Sequence, residues 1–498
     1  MSGRHVIIVG GGITGLAAAE HLARTAPELE VTLLEADTRL GGCIGTERVD
    51  GYVLEEGPDL FVTAKPAALE LAERLGLGER LHGTGAEARG SYILSGRRLV
   101  PLPEGLTGLV PSRMAPFAKT PLLSPLGKLR VGLDLLIPPR RGEADESVES
   151  FVVRRLGREM YERLVEPMLS GIFAGDGSRL SILAAFPQLR AFEREHGGMM
   201  RGMLAARRRA AASPVSAAPR VPGFVSLPTG MAELVEGATA ALEAPQGLTD
   251  APAVAIRRGA RAVRLDLARG GLEPLSPFGS SEDAVRVVLA DGAEITGDAV
   301  ILATPAYVSA ALLAPHDAAL AAALRGIEYA STAVISLAYD ARDVARTLDA
   351  TGYTVPRAER RAVRACTWSS AKFEGRAPAG KALFRLFMGG AGREELLHRS
   401  DDALLELARA ELRETMGIAT LPELARVRRW ERTMPQYTIG HLDRLAAMDR
   451  ALAALPRVAL AGNAYRGVGI PDCVRSGREA AERISATLAR EGVRSIAA

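Results

Sequence analysis

The spacing of apolar and polar positions changes several times along the chain, and each change predicts a different element. Val6-Ile7-Ile8-Val9 is a short β-branched run of the kind that fills a parallel strand buried on both faces. From Gly15 to Ala26, Leu16, Ala19 and Leu22 recur at helical spacing, and Val31-Thr32-Leu33-Leu34-Glu35 predicts a second strand. From Glu104 to about Arg209 the pattern is mostly helical, punctuated early by Pro111, Pro116, Pro121 and Pro125, with mixed-charge helical spacing over Ser147 to Leu169. Ala205 to Pro222 is rich in Ala, Arg and Pro and reads as a mobile, solvated loop rather than a contact for an anionic membrane. Strand patterns return at Ala253–Ile256, Ala262–Leu265, Val285–Leu289 and Ala299–Leu302, with the turn Asp291-Gly292 between the last two. Val334–Ala338, Val363–Thr367 and Ala382–Met388 follow. A helix over Asp401 to Met416, strands at Arg426–Trp430 and Val458–Ala461, and a last helix from beyond Pro471-Asp472 to about Arg490 complete the pattern. No internal repeat is visible.

Strand–helix–strand at the start and a glycine-rich element near the end predict an α/β fold. In it, a Rossmann-like nucleotide domain is interrupted by other lobes. The expected nucleotide pieces are 1–92, 222–315 and 427–498; 93–221 is a mostly helical insertion and 316–426 a β-sheet substrate domain. A length of 498 residues suits two or three packed lobes. Net charge is only +3 against 62 basic and 59 acidic residues, which argues against a nucleic-acid binder. Cys43, Cys366 and Cys473 are far apart and odd in number, so they read as reduced, buried thiols. No apolar run approaches the ~20 residues of a membrane span, and the N-terminus runs into a strand rather than a signal peptide. The seven histidines show no ligand spacing, so no metal is expected, and His441 reads as structural.

Gly10-Gly11-Gly12-Ile13-Thr14-Gly15 fits GxGxxG between a strand and a helix, and Glu35 closes the next strand. Gly10 permits the tight turn, Gly12 lets backbone amides approach a pyrophosphate, and Gly15 lets helix and strand pack closely. The helix start holds phosphate charge, and Glu35 would accept hydrogen bonds from ribose hydroxyls.

The continuation, Glu35-Ala36-Asp37-Thr38-Arg39-Leu40-Gly41-Gly42, resembles the E-x(3)-R-x-G-G extension of the amine-oxidase-like flavoproteins. That resemblance implies FAD, with Ala36, Arg39 and Gly42 continuing the cradle and Val263 adding a contact. Ala299 to Pro305 and Leu460 to Pro471 resemble that superfamily's later flavin segments, the second implying contacts from Val468, Gly469 and Ile470. Within the superfamily, Gly57-Pro58-Asp59-Leu60-Phe61 resembles a porphyrinogen oxidase segment, with Leu60 departing from its usual serine, and the resemblance implies flavin contacts from Gly57, Pro58, Asp59 and Leu60. Val165 to Asp176 (VEPMLSGIFAGD), Leu180-Ser181 to Phe186-Pro187, Met434 to Tyr437 with Gly440-His441, and Gly462 to Cys473 resemble the same family.

The family resemblance implies oxygen-dependent oxidation of coproporphyrinogen III to coproporphyrin III by three hydride transfers to FAD, with release of hydrogen peroxide and no catalytic side chain. Lys65, just after GPDLF, and Ser91 before Tyr92 lean toward the coproporphyrinogen type, although Arg89 lies close by. Protoporphyrinogen IX is the alternative. Ile172 and Phe373 are the candidate apolar contacts of the macrocycle, with a core role open for each, and Met388 reads as core. Implied partners are the tetrapyrrole, dioxygen and, as a candidate recipient of product, a ferrochelatase. The expected location is the cytoplasm, with at most peripheral contact with the inner membrane face. More distant alternatives are an amine oxidase or carotenoid desaturase, with Tyr437 and Tyr465 as candidates for an aromatic cage, and a non-enzymatic flavin-fold escort protein.

Overall fold

The computed structural model describes residues 4–86, 88–107, 110–111, 114–212, 222–244, 254–268 and 285–497. The β-branched run forms β1 (His5–Val9), followed by α1 (Ile13–Thr25) and β2 (Glu30–Leu34). β1 is central in a five-stranded parallel sheet, between β2 on one side and Ala299–Leu302 on the other, with Ala255–Arg257 and Val458–Leu460 at the edges. Val6, Ile7 and Ile8 are completely buried because each face of this sheet has its own core. Val6 and Ile8 pack with α1 on one face, and Ile7 and Val9 pack on the other against an antiparallel three-stranded sheet. That small sheet comprises Ala262–Leu267, Val285–Leu289 and Glu294–Gly297. Its third strand was not predicted, and Asp291-Gly292 turns into it. Residue 253 of the expected strand at 253–256 lies outside the described residues.

The helical lobe is several short helices rather than long ones. Gly157, at φ +93°, ends the helix Val148–Leu156, and a π-helical turn over Tyr161–Val165 leads into α2 (Glu166–Phe173). A helix over Met199–Ala212 takes up the first part of the expected loop, which corrects that expectation; residues 213–221 lie outside the described residues. The arginine-rich stretch therefore begins as helix because its Ala-rich composition has high helical propensity.

The third lobe is a seven-stranded sheet built around β3 (Glu328–Asp340), β4 (Val363–Trp368), β5 (Lys381–Gly389) and β6 (Leu424–Gln436). Its order is β6, β3, β5, β4, Gly352–Thr354, Tyr92–Ser95, Arg98–Pro101. Residues 92–101 and 424–436 thus extend the sheet beyond the span 316–426, because β6 pairs along nearly its whole length with β3. One face holds Ile335, Leu337, Phe384, Leu386 and Met388 against Leu404, Ala408 and Leu412 of the helix Asp401–Met416. Met388 is core, as expected. The last helix, α3 (Ile470–Ala497), crosses α1 so closely that a Cβ on Gly477 would overlap the Thr14 carbonyl oxygen. This crossing brings the two glycine-rich ends of the chain together. Among the described residues no helix is long and apolar enough to cross a membrane.

Candidate flavin site

The glycine turn is held by close backbone packing. A Cβ on Gly15 would overlap the Gly10 carbonyl, and Gly10 sits at φ +112° with its α-carbon against Ala303. Only glycine fits either position. Gly12 is different, since a Cβ there would meet only the Gly42 α-carbon at 4.0 Å. Gly12 caps α1 with no side-chain hydrogen bond, which leaves first-turn amides available to an anion. Glu35 shapes the turn as well: its Oε2 accepts from the Gly11 amide at 2.6 Å and its Oε1 from the Asp37 amide at 2.8 Å. Further lone pairs on the same carboxylate remain for ribose hydroxyls.

Arg39 also holds its own loop. Its guanidinium donates to the carbonyls of Ile44 (3.0 Å) and Gly42 (2.6 Å), so it folds the loop that presents Gly42. Ala36 and Gly42 are exposed and Ile13 and Thr14 buried. The loop then returns through Gly57, where a Cβ would overlap the Cys43 carbonyl. Gly57, Pro58, Asp59 and Leu60 are half-buried. Val263 is 53% exposed at a bulge of the small sheet; that sheet touches the cradle where the Ala260 amide donates to the Glu35 carbonyl at 2.7 Å.

The C-terminal segment meets this line from the other side. Tyr437 is buried; its hydroxyl donates to the Asn463 carbonyl at 2.6 Å and accepts from the Gly467 amide at 2.8 Å. Its ring stacks on His441, with centroids 4.2 Å apart. His441 is fully buried, and its Nε2 lies 2.8 Å from the Tyr465 carbonyl and so carries the proton. Burial pushes its pKa down to about 4, which keeps the ring neutral. The structural reading of His441 stands. Tyr437 and Tyr465 are both buried in cores, so they form no open cage for an amine. Val468 and Gly469 are half-buried ahead of the buried Ile470 at the mouth of α3.

Lys65 does not stand free for a substrate carboxylate. Its ammonium donates to both oxygens of Asp472, at 2.9 and 2.7 Å, and ties the chain after Leu60 to the mouth of α3. Phe373 is also corrected: it is 1% exposed, edge-on to His82 and beneath Lys372 and Arg376, and is therefore core. Ile172, in contrast, is 46% exposed on α2. Phe387 is half-buried on the sheet face opposite the Leu386 core and directly across from Ala365. Its neighbour two positions back, Arg385, lies 4.9 Å over the Phe387 ring and donates to the Gly57 carbonyl. Sequence reasoning missed Phe387, Arg385 and Lys372. The signal was Arg385 itself, a charge inside the apolar run Ala-Leu-Phe-Arg-Leu-Phe-Met. The three cysteines are unpaired as expected, with Cys366 and Cys473 buried and Cys43 half-buried. Among the described residues no group of acidic, histidine or cysteine side chains could hold a metal.

The cradle fits FAD: uncapped amides at α1, a carboxylate at the end of β2, and half-buried backbone at Gly57–Leu60 and Gly467–Gly469. Comparison with known proteins agrees. "Coproporphyrinogen III oxidase" of Bacillus subtilis is 35% identical over 96% of this chain and 97% of its own length. The protein of that name from Propionibacterium freudenreichii is 39% identical over 96% of this chain and 90% of its own length. The chloroplastic protoporphyrinogen oxidase of Nicotiana tabacum is 32% identical, over 97% and 86%. A crystal structure from Exiguobacterium sp. 255-15 is 32% identical and superposes with a TM-score of 0.81 over 98% of this chain and 99% of that one. Cyclohexylamine oxidase from Brevibacterium oxydans shares the fold alone, at 16% identity and a TM-score of 0.65 over 97% and 99%. The family model described as flavin containing amine oxidoreductase matches residues 13–485, and the chain belongs to that family as an FAD-dependent oxidoreductase.

Proposed function

We propose that this chain oxidises coproporphyrinogen III to coproporphyrin III, with dioxygen as the final electron acceptor. The observation that carries the reading is the half-buried apolar strip of Phe387 and Ala365 beside Arg385, which borders the Gly57–Leu60 segment. A bulky ring system gains apolar contact there, roughly 25 cal/mol per Å² buried. The names of the Bacillus and Propionibacterium relatives support the same substrate.

FAD, when bound, supplies a two-electron acceptor that takes hydride from carbon and returns the electrons to dioxygen as hydrogen peroxide. The chain's contribution is placement and exclusion of water. Six electrons leave one substrate, so the strip must keep the macrocycle through three rounds. Asp59 stays ionised: burial alone would raise its pKa, but Lys372 and Arg385 hold it at about 2. It therefore takes up no proton at neutral pH. Arg364, buried and bonded to Ser170 and the Gly389 carbonyl, fixes α2 and hence Ile172 against the end of the sheet.

The test is a steady-state comparison of both porphyrinogens, prepared under anaerobic conditions and assayed in air by porphyrin fluorescence and peroxide release. A higher kcat/KM for coproporphyrinogen III is expected. Preference for protoporphyrinogen IX would transfer the function to that substrate, and fluorescence from neither would overturn the reading.

A further inference from the structure

Beneath Gly57–Leu60 lies a buried cluster whose charges do not balance. Asp59 pairs with Lys372 at 2.7 Å and with Arg385 at 3.4 Å, and Glu55 pairs with Arg376 at 3.1 Å. Three cations thus meet two carboxylates, all with side chains 16% exposed or less. Arg385 is 3% exposed, yet its Nε has no hydrogen-bond partner. A buried, uncompensated cation is unfavourable unless an anion completes the site. The segment directly above is the one the resemblance assigns to the flavin, and Arg385 already donates to its Gly57 carbonyl.

We infer that Lys372, Asp59 and Arg385 are positioning residues for the redox state of the cofactor: their surplus positive charge receives the negative charge that the isoalloxazine gains on reduction. This rests on the FAD cradle described above. The oxidised ring is neutral, so the surplus does little for its retention. The reduced ring is anionic, so each cation removed disfavours it, and each carboxylate neutralised favours it. Phe373 serves this arrangement from below, with Lys372 and Arg376 lying 5.2 and 5.4 Å from its ring.

The experiment uses the full FAD-loaded chain and reads the flavin midpoint potential, with the sulfite dissociation constant as a second measure of affinity for negative charge at the ring. In Lys372→Met the equilibrium is expected to shift about tenfold against the reduced form, equivalent to about 30 mV for a two-electron couple, with sulfite binding weakened by a similar factor. Asp59→Asn is expected to shift both in the opposite direction, and Lys372→Arg to stay at the wild-type values. The inference is overturned if Lys372→Met leaves both measures unchanged, or if Lys372→Met and Asp59→Asn move together, as general damage would make them. It is equally overturned if Lys372→Met loses oxidised FAD while remaining folded by circular dichroism. A wild-type chain that takes up no FAD would instead count against the cofactor reading.

Discussion

The nucleotide cradle and the sheet strip recognise their ligands by opposite means. At Gly10–Gly15 and Gly42 the groups proposed to bind are backbone amides, and the side chains are small so that the chain can come close. At Phe387 and Ala365 the backbone is tied up in a β-ladder, so in the proposed reading only side chains would face the substrate. At Gly10 and Gly15 the backbone site tolerates no added Cβ. A site made of side chains can lose one group and keep its shape.

The contrast is broken most severely at Gly15, where any Cβ overlaps the Gly10 carbonyl. Gly15→Val is expected to yield protein without bound FAD, read as the ratio of flavin to protein absorbance; a yellow variant would contradict the backbone account. Next in size, Phe373→Ala should cost about 3–5 kcal/mol of stability, as for a buried phenylalanine, measured by denaturant unfolding of the holoprotein. A variant of wild-type stability would return Phe373 to the list of substrate contacts.

His441 extends the comparison to what buttresses the backbone site. Its folded pKa of about 4 lies below the ordinary histidine value of 6.5, so the unfolded chain binds the extra proton between those values. Stability is therefore full above pH 6.5 and declines as pH falls toward 4, by about 3 kcal/mol at most. Unfolding midpoints across that window are expected to fall in the wild type and to flatten in His441→Asn. The smallest expected effect is Phe387→Ala, which should raise KM for the porphyrinogen roughly tenfold, about 1.4 kcal/mol, with FAD content unchanged. A loss of FAD instead would place Phe387 in the cradle.

The same contrast explains what the sequence disclosed. The cradle was legible because its residues are consecutive and their types are forced: Gly10, Gly12 and Gly15 followed by Glu35, then Arg39 with Gly42. The helix Asp401–Met416 was predicted to the residue, since its Ser400 cap and terminal Gly417 mark both ends. The strip was not legible. Phe387 and Phe373 look alike in sequence, and only their burial separates them: Phe387 is half-buried on β5, whereas Phe373 is 1% exposed. Lys65 likewise gave no sign that Asp472, more than four hundred residues later, would take up its charge.

The most direct test of the account is to mix the FAD-loaded chain with coproporphyrinogen III in the absence of oxygen and follow the flavin absorbance. The account predicts that the yellow band bleaches at a rate no slower than turnover and returns when air is admitted, as hydrogen peroxide appears. A band that stays unbleached, in protein that does produce porphyrin in air, would show that the flavin seated between Gly12 and α3 is not the group that takes the substrate's electrons.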